Sequence, residues 1–350
     1  MKLLLTLSIF LSATLLFWVQ PMFSKLVLPL LGGVPAVWNT CLVFYQATLL
    51  AGYLYAHATS KWLGVKKQAL LHIVVIGLAC FSMSFNLAPA SEMQINPVGW
   101  LFKQLLISIG LPFFALSAIA PMLQRWLART SHPDAENPYW LYSASNIGSL
   151  CALLGYPIVM EPLLRLHTQH LAWTIVYGIF ATLFCGCALI LWKSPSPFFQ
   201  RGGRGDSPLS KKGEANDAPG LRQRLRWLGL SFVPSSLLLG VTHHITTDIA
   251  PIPLLWVIPL SLYLLTFVLV FACKPLLRHE VMLRVQTYLA LPPLLLYLGN
   301  LQIEIWLDSP VHLAAFFVFA MVCHGELVKS RPHPAQLTEF YVWMATGGAR

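Results

Sequence analysis

The chain has 350 residues, of which 57% are hydrophobic and only 10% charged, far from the about 25% charged of an average soluble domain. That composition excludes a water-solvated globule and makes lipid the relevant solvent. The formal charge of +10 is read as basic residues gathered in the loops of a membrane protein, so no nucleic-acid partner is predicted.

A helix that crosses a bilayer needs about 20 mainly apolar residues. That rule predicts spans at 3–21, 37–58, 69–88, 100–124, 138–158, 169–192, 225–242, 252–273, 282–301 and 307–326, with an eleventh helix starting near Leu337. The fold class is therefore an all-α polytopic membrane protein with ten complete transmembrane helices and a partial eleventh. Met1 and Lys2 before Leu3 to Val19 resemble a signal peptide, but the apolar run is long and no A-x-A-like site follows, which predicts a retained first helix. The last apolar stretch is too short to cross, so the plan reads as cut short or truncated. Cys41, Cys80, Cys151, Cys185, Cys187, Cys273 and Cys323 all lie in apolar stretches without CxxC or zinc spacing, and are read as packing residues.

With the N-terminus in the cytoplasm, 19 of the 23 lysines and arginines fall in cytoplasmic loops or at cytoplasmic helix ends. Only Lys25, Lys103 and Arg165 fall outside, and Arg350 ends the chain. The asymmetry predicts a multi-pass protein of the cell inner membrane with a cytoplasmic N-terminus. Residues 193–224, with SPSP, RGGRGDSP and KKGEANDAPG, are too rich in Gly, Pro, Ser and charge to bury a core, and are expected to form a flexible cytoplasmic linker. The predicted domains are a first six-helix membrane half at 1–192, the linker at 193–224, and a second, incomplete membrane half at 225–350.

The halves share a weak repeat. Pro35, Trp38 and Tyr45 match Pro253, Trp256 and Tyr263 at the spacing P-x-x-W-x(6)-Y, and Tyr139, Trp140, Tyr142, Ala144 and Ser145 match Phe340, Tyr341, Trp343, Ala345 and Thr346. Both pairings set helix n against helix n plus six, which resembles the two parallel halves of the major facilitator superfamily. Gly52, Tyr53, Leu54, Tyr55, Ala56 and His57, then Lys61, Gly64, Lys66 and Lys67, resemble that superfamily's loop between helices two and three, with His57 in place of an acid. Glycine for helix packing and lysine for topology explain the same residues.

Three stretches, Leu26 to His57, Asn137 to Leu164 and Phe232 to Phe267, together with His333 to Ala349, resemble the membrane-embedded domain of large bacterial spermidine synthase-like proteins. In that family a facilitator-like domain precedes a soluble synthase domain. The resemblance implies two functions: transport or binding of a polyamine-like cation, or a non-catalytic membrane anchor for a separately encoded or lost synthase domain. The glycine-rich turn and acidic pocket of the synthase do not occur here, so no enzyme activity and no cofactor are predicted.

Ionisable and amide groups at membrane depth are functional candidates because burying them is expensive. Asp248 follows His243, His244 and Thr247 just before Pro251 and Pro253, where interrupted backbone beside a carboxylate could bind a cation or relay protons; an exoplasmic loop with a capping Thr-Asp pair is the plainer reading. His243 and His244, being adjacent, point to different faces of a helix, and no further zinc ligand is evident, so no metal is predicted. Glu161 is a second outward acid, expected to pair with Asp248 in a cation-attracting vestibule or to remain a solvated helix end. Asn39, Gln46 and Asn146 lie within spans, as interhelical glue or solute ligands. Trp38, Trp256, Tyr45 and Tyr263 are candidates for a cation-π cage or for an interfacial aromatic belt.

Overall fold

The computed structural model describes residues 1–31, 35–83, 96–130, 132–193, 219–248, 256–272, 277–299 and 304–349. Among them every regular element is helical. The helices are α1 (Lys2–Leu31), α2 (Pro35–Trp62) and α3 (Gly64–Ser82). α4 (Pro97–Leu127), α5 (Trp140–Leu163) and α6 (Leu166–Lys193) follow. The remainder are α7 (Leu221–Asp248), α8 (Val257–Phe271), α9 (His279–Leu298), α10 (Ile305–Lys329) and α11 (Leu337–Gly348). Eight of them, all but α2, α8 and α11, are individually long and apolar enough to cross a membrane.

Each helix matches one expected span in order, and the differences are at the ends. α1 continues ten residues past the expected stop, through Pro21 and Pro29. A helix in lipid tolerates proline when local adjustments and neighbours take up the freed carbonyl. At about 1.5 Å per residue it is about 45 Å long, more than the hydrocarbon layer, so it must tilt or project. α7 starts at Leu221 rather than 225 and ends six residues beyond the expected 242. The expected linker otherwise falls at 194–218, and parts of the third, eighth and ninth expected spans also fall outside the described residues.

Proline also shapes α4 and α5. Wider π-helical turns at Leu106–Gly110 and Tyr156–Met160 adjoin Pro112 and contain Pro157. Proline has no N–H for the carbonyl four residues back, and a π turn absorbs the resulting mismatch.

α3 shows how lipid inverts the usual pattern. Leu70, Val74, Leu78 and Phe81, spaced along one face, are each more than half exposed, while Gln68 and His72 on the opposite side are fully buried. In water this arrangement would be unfavourable on both faces; in a bilayer each face meets its matching environment. α6 repeats it, with Leu171, Ile175 and Ile179 outward and Trp173, Tyr177, Phe180 and Phe184 inward.

The chain forms two compact units. The first comprises Met1–Ala218 with Pro332–Val342 and Ala349–Arg350; the second comprises Pro219–Arg331 with Trp343–Gly348. In the first unit α1 packs most extensively on α5 and then on α6. Gly148 of α5 makes this possible, because a Cβ there would stand 2.3 Å from the Phe10 carbonyl oxygen. Thr14 seals the crossing, its hydroxyl lying 2.9 Å from the Phe10 carbonyl and 3.2 Å from that of Gly148. Gly52 of α2 gives the same close approach to α4, with Ser117 Oγ 1.8 Å from a would-be Cβ. Gly64, at φ +70°, turns the chain between α2 and α3, a conformation glycine adopts without steric cost. In the second unit α7, α8 and α9 pack on α10.

Candidate functional site

The first unit holds two neutral polar centres. In one, the Gln68 amide nitrogen donates towards the Ala56 carbonyl at 3.2 Å, Thr59 Oγ1 at 2.8 Å and Ser60 Oγ at 3.1 Å. Its amide oxygen accepts from Trp126 Nε1 at 2.8 Å. One buried side chain thus ties the ends of α2, α3 and α4 together. Arg129 donates to the Ser60 carbonyl at 3.2 Å beside it, and partial burial lowers its guanidinium from the usual arginine value.

In the other centre, Tyr341 of α11 donates to Gln124 Oε1 at 2.7 Å and stacks on Tyr142, with ring centroids 5.2 Å apart. Tyr53 and Tyr139 close the cluster at 6.2 and 6.5 Å from the Tyr341 ring. The approach of α11 to this unit is held by Tyr139 donating to the Pro332 carbonyl, Arg125 donating to the Pro334 carbonyl, and His57 bonded to Thr338. The His57 Nδ1 to Thr338 Oγ1 distance is 3.0 Å.

The second unit carries its charge at helix ends. Glu326, near the end of α10, lies 2.8 Å from Arg226 Nη2, 2.8 Å from His279 Nε2 and 3.1 Å from Lys329 Nζ. His279, the first residue of α9, can reach it because position 325 is glycine; a Cβ there would stand 2.3 Å from His279 Nδ1. At the opposite end of α10, Asp308 lies 2.6 Å from His244 Nε2 and 3.4 Å from His312 Nδ1. The two imidazole rings are 4.4 Å apart. One ligand atom from each of His244, Asp308 and His312 falls within 4.8 Å of the other two, a set able to hold a metal ion.

Between these ends, Thr266 donates to the Tyr263 carbonyl at 2.7 Å, which leaves its oxygen to accept from His324 Nδ1 at 2.8 Å. Phe267 stacks on the His324 ring at 3.7 Å.

The expected site residues are dispersed. Glu161 is engaged by Lys25, Nζ to Oε1 2.9 Å. Tyr45 is buried against Phe44 and Phe113. Asn146 donates to the Tyr142 carbonyl on its own helix at 2.8 Å. Gln46 is half-buried on α2. Tyr263 shares a 3.1 Å hydrogen bond with Ser235, and Trp256 is partly buried just ahead of α8. His243 is exposed, while His244 enters the cluster with Asp308 and His312. Thr247 and Asp248 end α7, but their side chains, like those of Trp38 and Asn39, lie outside the described residues.

Sequence reading missed Asp308 and His312, and with them the further ligands for His244. The available signal is the spacing of four, which sets both on one face of α10. Gln68 was hidden by its neighbours Lys66 and Lys67, which read as loop, and Gln124 by the end of an apolar run.

No protein-family model matches the sequence, and no curated protein matches it. Solved structures do. The human organic anion transporter MFSD10 (TETRAN) superposes with a TM-score of 0.57 at 15% identity, over 99% of this chain and 89% of the transporter. The proton:xylose symporter XylE, bound to 6-bromo-6-deoxy-D-glucose, superposes with a TM-score of 0.55 at 10% identity, over 99% and 86% of the two chains. The E. coli xylose transporter XylE in a partially occluded inward-open conformation gives 0.51 at 12% identity, over 99% and 88%. The polytopic all-helical chain therefore has the fold of the major facilitator superfamily.

Proposed function

We propose that this protein is a facilitator-type membrane transporter that carries a small polar solute, and that the solute is a polyamine-like cation. The transporter reading is carried by the superposition, which takes in 99% of this chain and most of two transporters of different substrate class. The buried polar centres support it, because neutral amides and hydroxyls inside a bilayer are costly unless they organise helices or meet a solute. The cationic class rests on the sequence resemblance to spermidine synthase-like membrane domains and on the outward acids. Since Lys25 takes up the charge of Glu161, the weight of that expectation falls on Asp248.

Uptake of labelled spermidine into proteoliposomes, beside a labelled neutral sugar and an organic anion, tests it directly. Saturable spermidine uptake that Asp248→Asn reduces and Glu161→Gln changes little is the expected result. Uptake confined to the sugar or the anion would replace the solute class, and no uptake of any solute would remove the transporter reading.

The lysine and arginine distribution supports a cytoplasmic N-terminus in the inner membrane. Membrane-impermeant labelling of a cysteine placed at position 2 should fail in intact cells and succeed after lysis. The sequence resemblance also supports a second reading, an anchor for a soluble synthase. Co-purification of an aminopropyl-transferring enzyme with the tagged protein from its native membrane would favour that reading.

A further inference from the structure

We infer that His244, Asp308 and His312 form a binding site for a first-row divalent transition metal, of the zinc or cobalt type, that clamps the end of α7 to the start of α10. The inference goes beyond the transport reading and does not depend on which solute is carried.

Three observations carry it. First, the donor set is chemically coherent: two imidazoles and one carboxylate are the ligands of zinc sites that keep further positions open to water or another ligand. Second, the spacing is close to what a metal needs. Bond lengths of about 2.1 Å place the donors of a tetrahedral site about 3.4 Å apart. Here Asp308 presents Oδ2 to His244 Nε2 at 2.6 Å, and one donor atom from each of the three residues falls within 4.8 Å of the other two. The ion takes the place of the hydrogen between His244 Nε2 and Asp308 Oδ2, with His244 then carrying its proton on Nδ1. The carboxylate has to move outward by only a fraction of an ångström.

Third, the ligands are preorganised. Asp308 and His312 stand four residues apart on one face of α10, and His312 Nδ1 lies 3.0 Å from the Asp308 carbonyl. Donation from Nδ1 to that carbonyl fixes the tautomer in which Nε2 carries the lone pair, the backbone support that metal-ligating histidines commonly have. Asp308 also lies in the first turn of a 25-residue helix, whose dipole favours the ionised carboxylate. The His244 side chain is 38% exposed and those of Asp308 and His312 are 17% and 19% exposed, so an ion can enter and is then largely enclosed.

Calorimetric titration of the purified full chain in detergent with Zn²⁺ and with Co²⁺ tests the proposal. The expected result is one equivalent bound, with affinity falling about tenfold or more in Asp308→Asn and in His312→Gln, and unchanged in His167→Gln, an exposed histidine of the other unit. A measurement on the unaltered protein covers the case in which those variants do not fold. Modification of His244 and His312 by diethylpyrocarbonate, mapped by peptide mass spectrometry, should be slowed by Zn²⁺ and not by Mg²⁺. Absence of binding, binding that neither ligand variant weakens, or modification unaffected by saturating Zn²⁺ would overturn the assignment.

Discussion

The two units solve the same problem, holding polar groups within membrane helices, in different ways. The first relies mainly on neutral bonds in its interior: Gln68 with Trp126, Thr59 and Ser60, and Tyr341 with Gln124. Its Lys25–Glu161 pair is partly exposed at a helix end. The second also has neutral bonds, between Thr266 and His324 and between Ser235 and Tyr263, but it gathers charge at both ends of α10, around Glu326 and around Asp308. The difference follows from desolvation. A neutral amide can be buried at the cost of its hydrogen bonds, whereas an ion needs a partner or water and so gravitates to helix ends. The first unit should therefore be sensitive to packing and insensitive to salt, and the ends of the second should respond to ions.

The largest effect expected is from Gly148→Leu. Its Cβ would meet backbone, the Phe10 carbonyl oxygen at 2.3 Å, so α1 and α5 must separate. A loss of about 3 kcal/mol or more is expected, visible as failure to recover monodisperse protein by size-exclusion chromatography in detergent. Gln68→Leu comes next. It removes the acceptor of Trp126 and the donor shared by α2, and should cost about 2 kcal/mol in reversible denaturant unfolding. If that loss were undetectable, the neutral network would not be what organises the first unit.

Glu326→Gln should cost about 1 kcal/mol at low ionic strength, because the carboxylate is partly exposed and its partners Arg226 and Lys329 are more so. Salt at about 1 M should erase most of that difference while leaving the Gln68→Leu penalty in place. The smallest effect expected is that of Lys25→Ala, at about 0.5 kcal/mol or less by thermal shift, since both members of its pair are substantially exposed. A larger penalty would mean that the Lys25–Glu161 pair braces α1 against α5 more than its exposure suggests.

Much of the fold was legible from the residues. All eleven helices appear in the expected order, because an apolar run of about 20 residues in lipid has no alternative to the helix. Their ends were less legible. The first span was expected to end at residue 21, yet α1 runs on to Leu31 with Pro21 and Pro29 inside it, since neighbouring helices relieve what an isolated helix could not. The candidate site was legible only in part. His244 was identified, but its partners lie 64 and 68 positions further along the chain, and no local pattern joins α7 to α10. Glu161 was read as a partner for Asp248 or a solvated helix end, and its pairing with Lys25, 136 residues earlier, has no local signal.

Composition and hydropathy by themselves determined that the chain is a polytopic helical membrane protein, because the transfer of backbone and side chains into lipid depends on local sequence alone. The partners of the buried polar groups were decided only by the tertiary structure. Gln68 with Trp126, Tyr341 with Gln124, and His244 with Asp308 and His312 come from different helices, and which faces meet depends on packing at glycines such as Gly52 and Gly148, where close approach is a property of two helices rather than of one.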